Sequence, residues 1–357
     1  MSTDADVLPD PSSSTLTVAE FDGPPDEWDA VVAQWPGGGV FHLHAWHKVM
    51  KEGLGHTAMH VGARDADGTL VGILPLVRVR SLLFGDYLIS MPFLNEGGPV
   101  GRPEARRMLG EWATEEARKL GVDMLELRNA ISLPGDLDTM VRKITVKLSL
   151  PDDSKVLWED VLRSKVRSQV RRPMKEGMEA HVGGVELLDD FYEIFAITMR
   201  SLGTPVLPKA FFETICRCFP EEVLASTIEH EGQVVAAGFG FLYKGRYEIT
   251  WAGALREHSR LAPNMLLYWS LMEACVERGV EVFDFGRCTP GSGTHRFKKQ
   301  WGGDDHPLPW SQWSPSGDGG GPPNPDDPKY RMAVNLWTRL PLPVTRIVGP
   351  RISRLLP

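Results

Sequence analysis

The feature that most constrains this chain is a supersecondary plan that occurs twice. Two extended runs joined by a glycine turn, a third run, a helix and a closing run appear with the turn at Gly68 and the helix stop at Gly121. The same order returns with its turn at Gly232 and its helix stop at Gly279. Such repetition predicts two similar α/β halves that meet at a shared cleft. The alternative is that this order of strands and helices is simply common in α+β proteins and reflects no repeat.

Alternation and helical periodicity place the individual elements. The first copy is predicted to have strands over 57–63, 69–80, 87–93 and 122–128 and a helix over 103–120. The second copy is predicted to have strands over 223–229, 234–243, 246–251 and 281–285 and a helix over 263–278. Outside the copies we predict strands over 16–21 and 143–150, and helices over 26–34, 45–52 and 157–170, the last ending before Pro173.

The length of 357 residues is enough for two domains, each with its own core. We predict a disordered leader over 1–14, an N-terminal domain over 15–150, a C-terminal domain over 151–313, a flexible linker over 314–328 and a basic, apolar tail over 329–357. Prolines interrupt the tail, so we expect it to dock on the protein's own surface. A peripheral membrane contact is the alternative.

Charge and cysteine content exclude several classes of protein. A net charge of −8 argues against a general nucleic-acid coat protein, and we expect no DNA partner. Four cysteines form no disulfide framework, and the start of the chain lacks the apolar run of a signal peptide, so we expect a cytoplasmic location. His42, His44 and His47 lie close together, but no carboxylate or cysteine cluster adjoins them, and we predict no metal site.

The stretch 282–302 carries the strongest indication of chemistry. An apolar strand holds Asp284 between two phenylalanines and ends at Gly286, and a loop of small residues then leads to Lys298 and Lys299. Loops at strand ends commonly carry function, and cations there can stabilise an oxyanion or a phosphate. A buried strand followed by a solvated charge cluster is the alternative.

Several catalytic motifs are absent from this stretch. Gly291, Ser292 and Gly293 do not have the spacing of a nucleophile elbow, and no lysine with Ser/Thr follows the glycines as in a P-loop. Cations, backbone amides and carboxylates remain, and they suit direct acyl transfer from a donor to an amine. Asp284 is the candidate that orients or deprotonates the amine, and Arg287 with Arg296 would clamp a phosphate or carboxylate.

A cationic stripe precedes the second copy. Arg163, Arg167 and Arg171 recur at every fourth position, and no acidic residue lies between 163 and 175. A solvated helix face is one interpretation. The other is a contact with a polyanion, such as a nucleotide-sugar diphosphate, tRNA or an acidic lipid headgroup.

The segments Asp-Phe-Gly-Arg at 284–287 and Arg-Phe-Lys-Lys-x-Trp-Gly at 296–302 resemble the C-terminal signature of FemAB-type acyltransferases of the GNAT superfamily. The likeness is greatest to the branch associated with exosortase (PEP-CTERM) and exopolysaccharide loci. It implies an α/β (α+β) fold of tandem GNAT-like domains, each a mixed, mostly antiparallel sheet flanked by helices. It also implies that Phe297 and Lys298 lie near the acyl carbonyl, where the lysine stabilises the tetrahedral intermediate.

The resemblance implies transfer to an amine of a phosphorylated saccharide or peptide precursor of the cell envelope, from peptidoglycan or exopolysaccharide. The donor stays open between aminoacyl-tRNA and acyl-CoA, either one a co-substrate, and no cofactor is expected. Leu261 and Pro263 fall where glycines hold the pyrophosphate of coenzyme A, yet no helical arm for tRNA is present. The alternatives are an acyl-CoA-dependent N-acyltransferase with a degenerate pyrophosphate loop and a non-catalytic binding module in polysaccharide or export assembly.

We therefore predict two catalytic residues, Lys298 and Asp284. The predicted substrate-binding residues are Arg287, Ser292, His295, Arg296, Phe297, Lys299, Trp301, Trp251, Asn95, Glu96, Arg167 and Arg171.

Overall fold

The computed structural model describes residues 16–81, 84–133, 137–317 and 328–356, with the backbone alone for 329 and 330. The predicted leader over 1–14 and most of the predicted linker over 314–328 lie outside the described residues. The strands are β1 Thr17–Glu20, β2 Thr57–Arg64, β3 Leu70–Ser81, β4 Gly85–Ile89, β5 Val100–Gly101, β6 Met124–Leu127, β7 Asp138–Ser149, β8 Glu179–Gly183, β9 Val223–His230, β10 Gln233–Tyr243, β11 Arg246–Ala254, β12 Val282–Cys288 and β13 Asp304–Trp313.

The helices are α1 Pro25–Gln34, α2 Trp46–Lys48 with a π-turn over Val49–Gly53, α3 Pro103–Leu120, α4 Ser154–Val156 with a π-turn over Leu157–Val161, α5 Ser164–Lys175, α6 Leu188–Leu202, α7 Lys209–Cys218, α8 Pro263–Glu277, α9 Gly293–Lys299, α10 Pro328–Arg339 and α11 Leu342–Ser353. Two of the longer helices, α3 and α6, end at a left-handed glycine, Gly121 and Gly203. The helix predicted over 103–120 is confirmed, with Pro103 in its first turn and Gly121 left-handed at its end.

The described residues form one mixed sheet of 13 strands, in the order β1-β2-β3-β4-β6-β13-β7-β12-β11-β10-β9-β8, with β5 beside β3. In the N-terminal lobe (β1–β6 with α1–α3), β2, β3 and β4 are antiparallel and β4 runs parallel to β6. In the C-terminal lobe (β8–β12 with α5–α9), β9, β10 and β11 are antiparallel and β11 runs parallel to β12. The predicted duplication of one α/β plan is therefore confirmed.

The two halves exchange the strand that follows their parallel pair. β7, which follows β6 in the chain, pairs with β12. β13, which follows β12, pairs with β6, and β7 and β13 pair with each other. The exchange joins the two lobes in the middle of the sheet. The domain limits at 15–150 and 151–313 stay a prediction.

Aromatic side chains fill the space between the lobes. Phe41 and Trp46 of the N-terminal lobe both pack on Phe241 of β10, with ring centroids 5.6 Å apart in each case. All three rings are buried. Buried aromatic pairs of this kind add to the stability that area burial alone supplies, so they help to hold the cleft walls in place.

The helix predicted over 157–170 differs from the one observed. The chain breaks at Leu162, and α5 runs through Pro173 to Lys175, so the predicted end before Pro173 is wrong. The proline ring is buried, and the turn after it is still closed because Glu176 donates to the carbonyl of Arg172. Proline near the end of a helix thus removes one hydrogen bond without ending the helix.

The strand predicted over 87–93 ends earlier, at Ile89. Met91 and Phe93 have φ angles of 57° and 70°, which a strand does not accommodate. The segment from Ser90 to Gly98 is instead an irregular loop, and it lies between the lobes.

The tail docks on the C-terminal lobe. Arg200 Nε of α6 donates to the carbonyl of Leu340 at 2.5 Å, and Ser353 Oγ donates to the carbonyl of Val206 at 2.9 Å. Trp337 is buried against this surface. Among the described residues, no helix has both the length and the apolar character that crossing a membrane requires.

Candidate functional site

The parallel strands β11 and β12 separate after the pair formed by Glu248 and Asp284. The pairing of β12 with β7 is also irregular, between Asp284 and Arg287. Gly286 lies at this point with a φ of 68°, and a Cβ there would lie 2.6 Å from the carbonyl oxygen of Ile249. A bulge at a strand end re-aims the side chain that follows it. Here that side chain is Arg287.

An apolar cavity of about 260 Å³ opens beside this point. It lies between α6, β11, β12, the loop after β4 and the end of the chain, and its lining residues are Phe93, Phe195, Met199, Thr204, Pro205, Leu207, Trp251, Arg287, Ser353 and Leu356. Arg287 is the one charged residue among them. The predicted binding residues Trp251 and Arg287 therefore share one cavity.

Arg287 has few partners for a cation in this position. Its Nη1 donates to the carbonyl of Leu94 at 3.2 Å, and its guanidinium lies 5.6 Å from the ring of Trp310. Among the described residues, no carboxylate lies within ion-pair distance of it. Burial and the nearby charge of Arg128 lower the pKa of Arg287 to about 10. A cation without a counter-ion at a cavity suits a ligand with a carbonyl, carboxylate or phosphate oxygen.

Lys298 approaches the same strand end from α9. Ser292 caps this helix by accepting from the backbone N–H of His295 at 3.1 Å. Lys298 is the buried residue of α9, and its Nζ donates to the carbonyls of Gly286 at 2.7 Å and Arg287 at 2.9 Å. Burial lowers the pKa of Lys298 to about 8. The ammonium group is thus fixed against the backbone of the arginine that faces the cavity.

A cluster of carboxyl groups surrounds Arg246 on the adjoining strand. The guanidinium donates to Glu96 at 3.1 and 3.2 Å, to Glu248 at 2.7 Å and to Asp284 at 2.6 Å. Asp284 also accepts from Gly286 N at 2.8 Å and from the hydroxyl of Thr145. Every partner of Asp284 is therefore a group of the protein, and its carboxylate is wholly buried.

The carboxyl groups in this cluster differ in protonation. Burial and the charge of Asp284 raise the pKa of Glu248 to about 8. Burial also opposes ionisation of Glu96, but Arg246 and Lys147 outweigh it and lower the pKa of Glu96 to about 2. Of these two carboxyl groups, Glu248 is therefore the one that holds a proton at neutral pH.

A second, smaller cavity of about 100 Å³ reaches this cluster from the other side. We call it the interlobe cavity. It is lined by Gly38, Gly39, Val40, Phe41, Glu96, Phe241, Tyr243, Lys244, Arg246 and Glu248. Glu248 and Glu96 thus both reach a cavity, whereas Asp284 is not among the lining residues of either one.

The loop after β4 closes the site from the N-terminal lobe. Phe93 lines the apolar cavity, and the carbonyl of Leu94 accepts from both Arg128 at 3.0 Å and Arg287 at 3.2 Å. Asn95 donates to Glu248, and Glu96 pairs with Arg246. Three successive residues of one lobe, Leu94 to Glu96, therefore bond to side chains on the parallel strands of the other. The left-handed backbone at Phe93 is the kind of local strain that clusters at functional sites.

The remaining predicted residues of 292–301 support α9 itself. Arg296 is exposed and donates to the carbonyl of Gly291 at 2.7 Å, and His295 and Lys299 both contact Asp305, at 3.1 and 3.4 Å. The rings of Phe297 and Trp301 pack around Tyr268, with centroids 5.0 and 6.2 Å from it. Substrate contacts by Ser292, His295, Arg296, Phe297, Lys299 and Trp301 stay predictions.

Arg167 and Arg171 lie on α5, which packs on α8. Arg167 donates to the carbonyls of Trp158, Glu159 and Leu162 at 2.6 to 3.0 Å, and Arg171 lies 5.1 Å from the ring of Trp158. Their described contacts are therefore local, and they are not brought to the cluster around Arg246. Their contact with a polyanion stays a prediction.

The three histidines near the start of the chain have other partners. His42 is buried and bonds to the carbonyl of Gly98 at 3.0 Å, and His44 packs against His60 with ring centroids 4.3 Å apart. His47 bonds to the carbonyl of Ala58 at 3.0 Å. Among the described residues, no group of histidine, cysteine, aspartate and glutamate side chains could hold a metal ion.

Arg246, Glu248 and Thr145 were missed by sequence reasoning. Arg246 and Glu248 stand two positions apart on β11 and so share a face. Asp284 is the register partner of Glu248 on β12. The sequence did contain a signal for Arg246 and Glu248, an Arg-x-Glu alternation in the strand predicted over 246–251. Thr145 had no such signal, because it reaches Asp284 through the exchanged strand β7.

Comparisons with known proteins place this geometry in a structural class. Residues 164–299 match the Acetyltransferase (GNAT) domain family. The crystal structure of FemX superimposes with a TM-score of 0.62 and 14% identity, covering 83% of this chain and 97% of that one. The C-terminal domain (DUF2156) of a putative lysylphosphatidylglycerol synthetase from Agrobacterium fabrum gives a TM-score of 0.56 and 13% identity, covering 82% and 91%. The fold is therefore tandem GNAT-like, as predicted.

One curated relative is similar in sequence over a shorter range. The UDP-N-acetylmuramoylpentapeptide-lysine N(6)-alanyltransferase of Weissella viridescens is 23% identical over 133 residues. The match covers 36% of this chain and 38% of that protein, so it spans well under half the length of the relative.

Proposed function

We propose that this chain is a FemAB-like N-acyltransferase that moves an acyl or aminoacyl group directly onto an amine of a cell-envelope precursor. The observation that carries the proposal is the buried ammonium group of Lys298, which is fixed by the carbonyls of Gly286 and of Arg287, the residue whose side chain lines the apolar cavity. The GNAT domain match over 164–299 and the FemX-like fold support it. So does the alanyltransferase named among the relatives.

The proposed reaction needs no covalent enzyme intermediate. The acceptor amine attacks the acyl carbonyl, a C–N bond forms, and the bond to the donor's carrier breaks with its electron pair leaving on the carrier. Negative charge develops on the carbonyl oxygen, and the cations of Lys298 and Arg287 stabilise it. The mostly apolar lining of the cavity lowers the local dielectric constant, which strengthens the interaction with Arg287.

The amine must lose a proton during the reaction, and the carboxyl cluster is the proposed acceptor. Asp284 was predicted for this role, but its carboxylate is bonded to Thr145, Arg246 and Gly286 N. We assign Asp284 to positioning Arg246 and the strand end. Glu248 has a pKa raised to about 8 by burial and by Asp284, and it reaches the interlobe cavity. Because Glu248 holds a proton at neutral pH, we assign it to a relay: it gives this proton to the leaving carrier and, as the carboxylate so formed, takes the proton that the amine loses.

The acceptor belongs, in this proposal, to the class of phosphorylated saccharide or peptide precursors. The alanyltransferase relative acts on a UDP-linked muramoyl pentapeptide by its name, and a synthetase of lysylphosphatidylglycerol shares the fold. Assignment to the exosortase-associated branch and to exopolysaccharide precursors rests on the motif at 284–302. A cytoplasmic location, at the inner face of the membrane, is part of the proposal, in keeping with four free cysteines.

The start of α8 bears on the donor. Ala262 caps the helix with a φ of 58°, Pro263 has no N–H, and the N–H of Met265 is taken by the carbonyl of Ala262 at 2.9 Å. Few backbone donors therefore face outward where a GNAT helix holds pyrophosphate. This favours aminoacyl-tRNA or another non-coenzyme-A donor. The description of the matched family as an acetyltransferase domain favours acyl-CoA as the second candidate.

The test uses the purified full chain with UDP-linked muramoyl pentapeptide and either alanyl-tRNA or acetyl-CoA, with the amide product detected by mass spectrometry. We expect product with the wild type and with Lys119→Met, and loss of product with Lys298→Met. Lys119 is the control because it is an exposed lysine of α3 that pairs with Glu116, away from the cluster. Micromolar binding of coenzyme A by calorimetry would favour the acyl-CoA alternative. Undiminished product with Lys298→Met would refute the proposal.

A further inference from the structure

The docked tail presents an apolar face to solvent. Met332 and Leu336 of α10 are 69% and 64% exposed, and Ile347 of α11 is 62% exposed. Val344 and Val348 extend the face on α11. The opposite sides of both helices pack on the C-terminal lobe through Trp337, Thr345 and Gly349. The outer apolar residues are therefore not needed to hold the tail in place, and clustered exposed apolar residues mark an interaction surface.

Cations surround this face. The segment 328–356 contains no acidic residue, in a chain whose net charge is −8. Arg331, Arg339, Arg351 and Arg354 are exposed. Arg346 is turned inward instead, where it pairs with Glu193 of α6. Among the described residues, no ion pair compensates the four exposed arginines, so the outer surface combines apolar residues with positive charge.

We propose that the outer face of α10 and α11 binds an anionic lipid surface. Apolar side chains enter the boundary between headgroups and acyl chains, and arginines around them attract lipid phosphates. A second copy of the chain fits less well, because a symmetric interface would bring the same arginines against each other. The prolines of the tail, which break it into two short helices, do not oppose this binding, since each helix packs on the protein and keeps its outer apolar residues exposed.

The position of the tail gives the proposal a consequence for the site. Ser353 and Leu356, at the end of α11, line the apolar cavity that also contains Arg287. A membrane bound to the outer face of α11 would therefore lie beside the cavity wall. The inference goes beyond the proposed transfer reaction, and it holds or fails independently of that reaction.

The test is vesicle co-sedimentation of the full chain. We expect binding to phosphatidylcholine vesicles that contain phosphatidylglycerol, weaker binding at high salt, and little binding to phosphatidylcholine alone. Leu336→Glu combined with Ile347→Glu should abolish binding. Arg331→Gln combined with Arg339→Gln should weaken it roughly tenfold or more. Val141→Glu is the matched control, because Val141 is an apolar residue of β7 that is 52% exposed.

Thermal denaturation of each variant shows that the fold is retained, since all substituted side chains are exposed. Failure of the wild type to bind either vesicle would overturn the proposal. So would binding that both double variants leave unchanged. Analytical ultracentrifugation adds a third check: a wild-type dimer that Leu336→Glu with Ile347→Glu converts to a monomer would assign the face to a second copy instead.

Discussion

Arg246 of β11 holds Glu96 of the opposite lobe in a two-pronged ion pair, with N–O distances of 3.1 and 3.2 Å. The same guanidinium bonds to Glu248 and Asp284 on the strands that separate at the site. Burying charged groups costs free energy unless each keeps a partner. The position of the N-terminal lobe is thus coupled to the protonation of the carboxyl cluster, because loss of Glu96 would change the balance around Arg246.

We expect Glu96→Gln to lower the free energy of unfolding by about 2–4 kcal/mol, since the buried guanidinium of Arg246 then loses one of the carboxylates that compensate its charge. The matched control is Glu27→Gln, which breaks a pair with Arg64 in which both side chains are about one-third exposed. A pair of that kind contributes only about 0–1 kcal/mol. Urea denaturation of both variants measures the difference. Equal losses of unfolding free energy in the two variants would show that the ion pair between the lobes contributes no more than an exposed pair.

Glu248 should make the free energy of unfolding decrease as the pH rises, which is the opposite of the usual effect of a carboxyl group. Its pKa is raised from 4.5 to about 8 by burial and by Asp284, so the folded state binds more protons than the unfolded state between these values. Stability conferred by this proton is present at pH 5 and is lost as the pH rises through 8. Glu248→Gln keeps the shape without the titration. Its stability relative to the wild type should rise by at least about 1.4 kcal/mol, one pKa unit, between about pH 5 and pH 8.

Denaturant unfolding at several pH values, with both proteins in parallel, measures this trend. Asn95 donates to Glu248 and offers a control: Asn95→Asp would place a further carboxyl group there and should steepen the trend. Parallel stability curves for the wild type and Glu248→Gln would contradict the assignment of the proton to Glu248.

The charge of Arg287 should support the transfer reaction at a cost in the stability of the fold. It lies at an apolar cavity without a carboxylate partner among the described residues, and burial with the charge of Arg128 lowers its pKa to about 10. Arg287→Met removes a costly charge, so we expect unfolding free energy to stay level or rise by about 1 kcal/mol while transfer falls roughly 100-fold.

Arg128→Met is the control for this prediction. Arg128 is buried and bonded to Glu126 at 2.8 Å, so its loss leaves a carboxylate unpaired and should lower stability by about 3 kcal/mol. Melting temperatures and transfer rates of the two variants separate the roles. A large loss of stability in Arg287→Met would mean that the arginine is a structural residue.

Local patterns predicted the repeated plan well, because hairpin turns, helix stops and period-two alternation are encoded in neighbouring residues. The predicted strands over 234–243 and 246–251 correspond closely to β10 and β11. The exchange of β7 and β13 could not be predicted, because partners in a sheet are chosen by contacts across the whole chain.

Local patterns do not give strand partners, and this also explains which site residues could be predicted and which could not. Asn95 and Glu96 were selected as binding candidates, and the structure brings both to Glu248 and Arg246. The role of Arg246 as the centre of the cluster depends on β11 and β12 being neighbours up to Asp284 and separating beyond it. That separation is set by Gly286, which the sequence indicated as the end of the apolar strand, and by the exchanged strand β7, which no local pattern in the sequence indicates.

Gly286 provides the most direct test of how the site is built. Its φ is 68°, and a Cβ would lie 2.6 Å from the carbonyl oxygen of Ile249, which is backbone and cannot rotate away. Gly279 is the matched control, because its φ is 70° and no atom lies within 4 Å of an added Cβ. Gly279→Ala should therefore cost only the backbone term, about 1 kcal/mol.

Gly286→Ala should cost about 2–4 kcal/mol, because β11 and β12 must move apart to relieve the overlap. The movement would shift the carbonyls of Gly286 and Arg287 that hold Lys298, so transfer should fall further than in Gly279→Ala at a temperature where both variants are folded. Denaturant unfolding and transfer assays of the two variants measure both effects. Equal stability losses would mean that the strand end is compliant, and the positioning of Lys298 by the Gly286 carbonyl would then need another explanation.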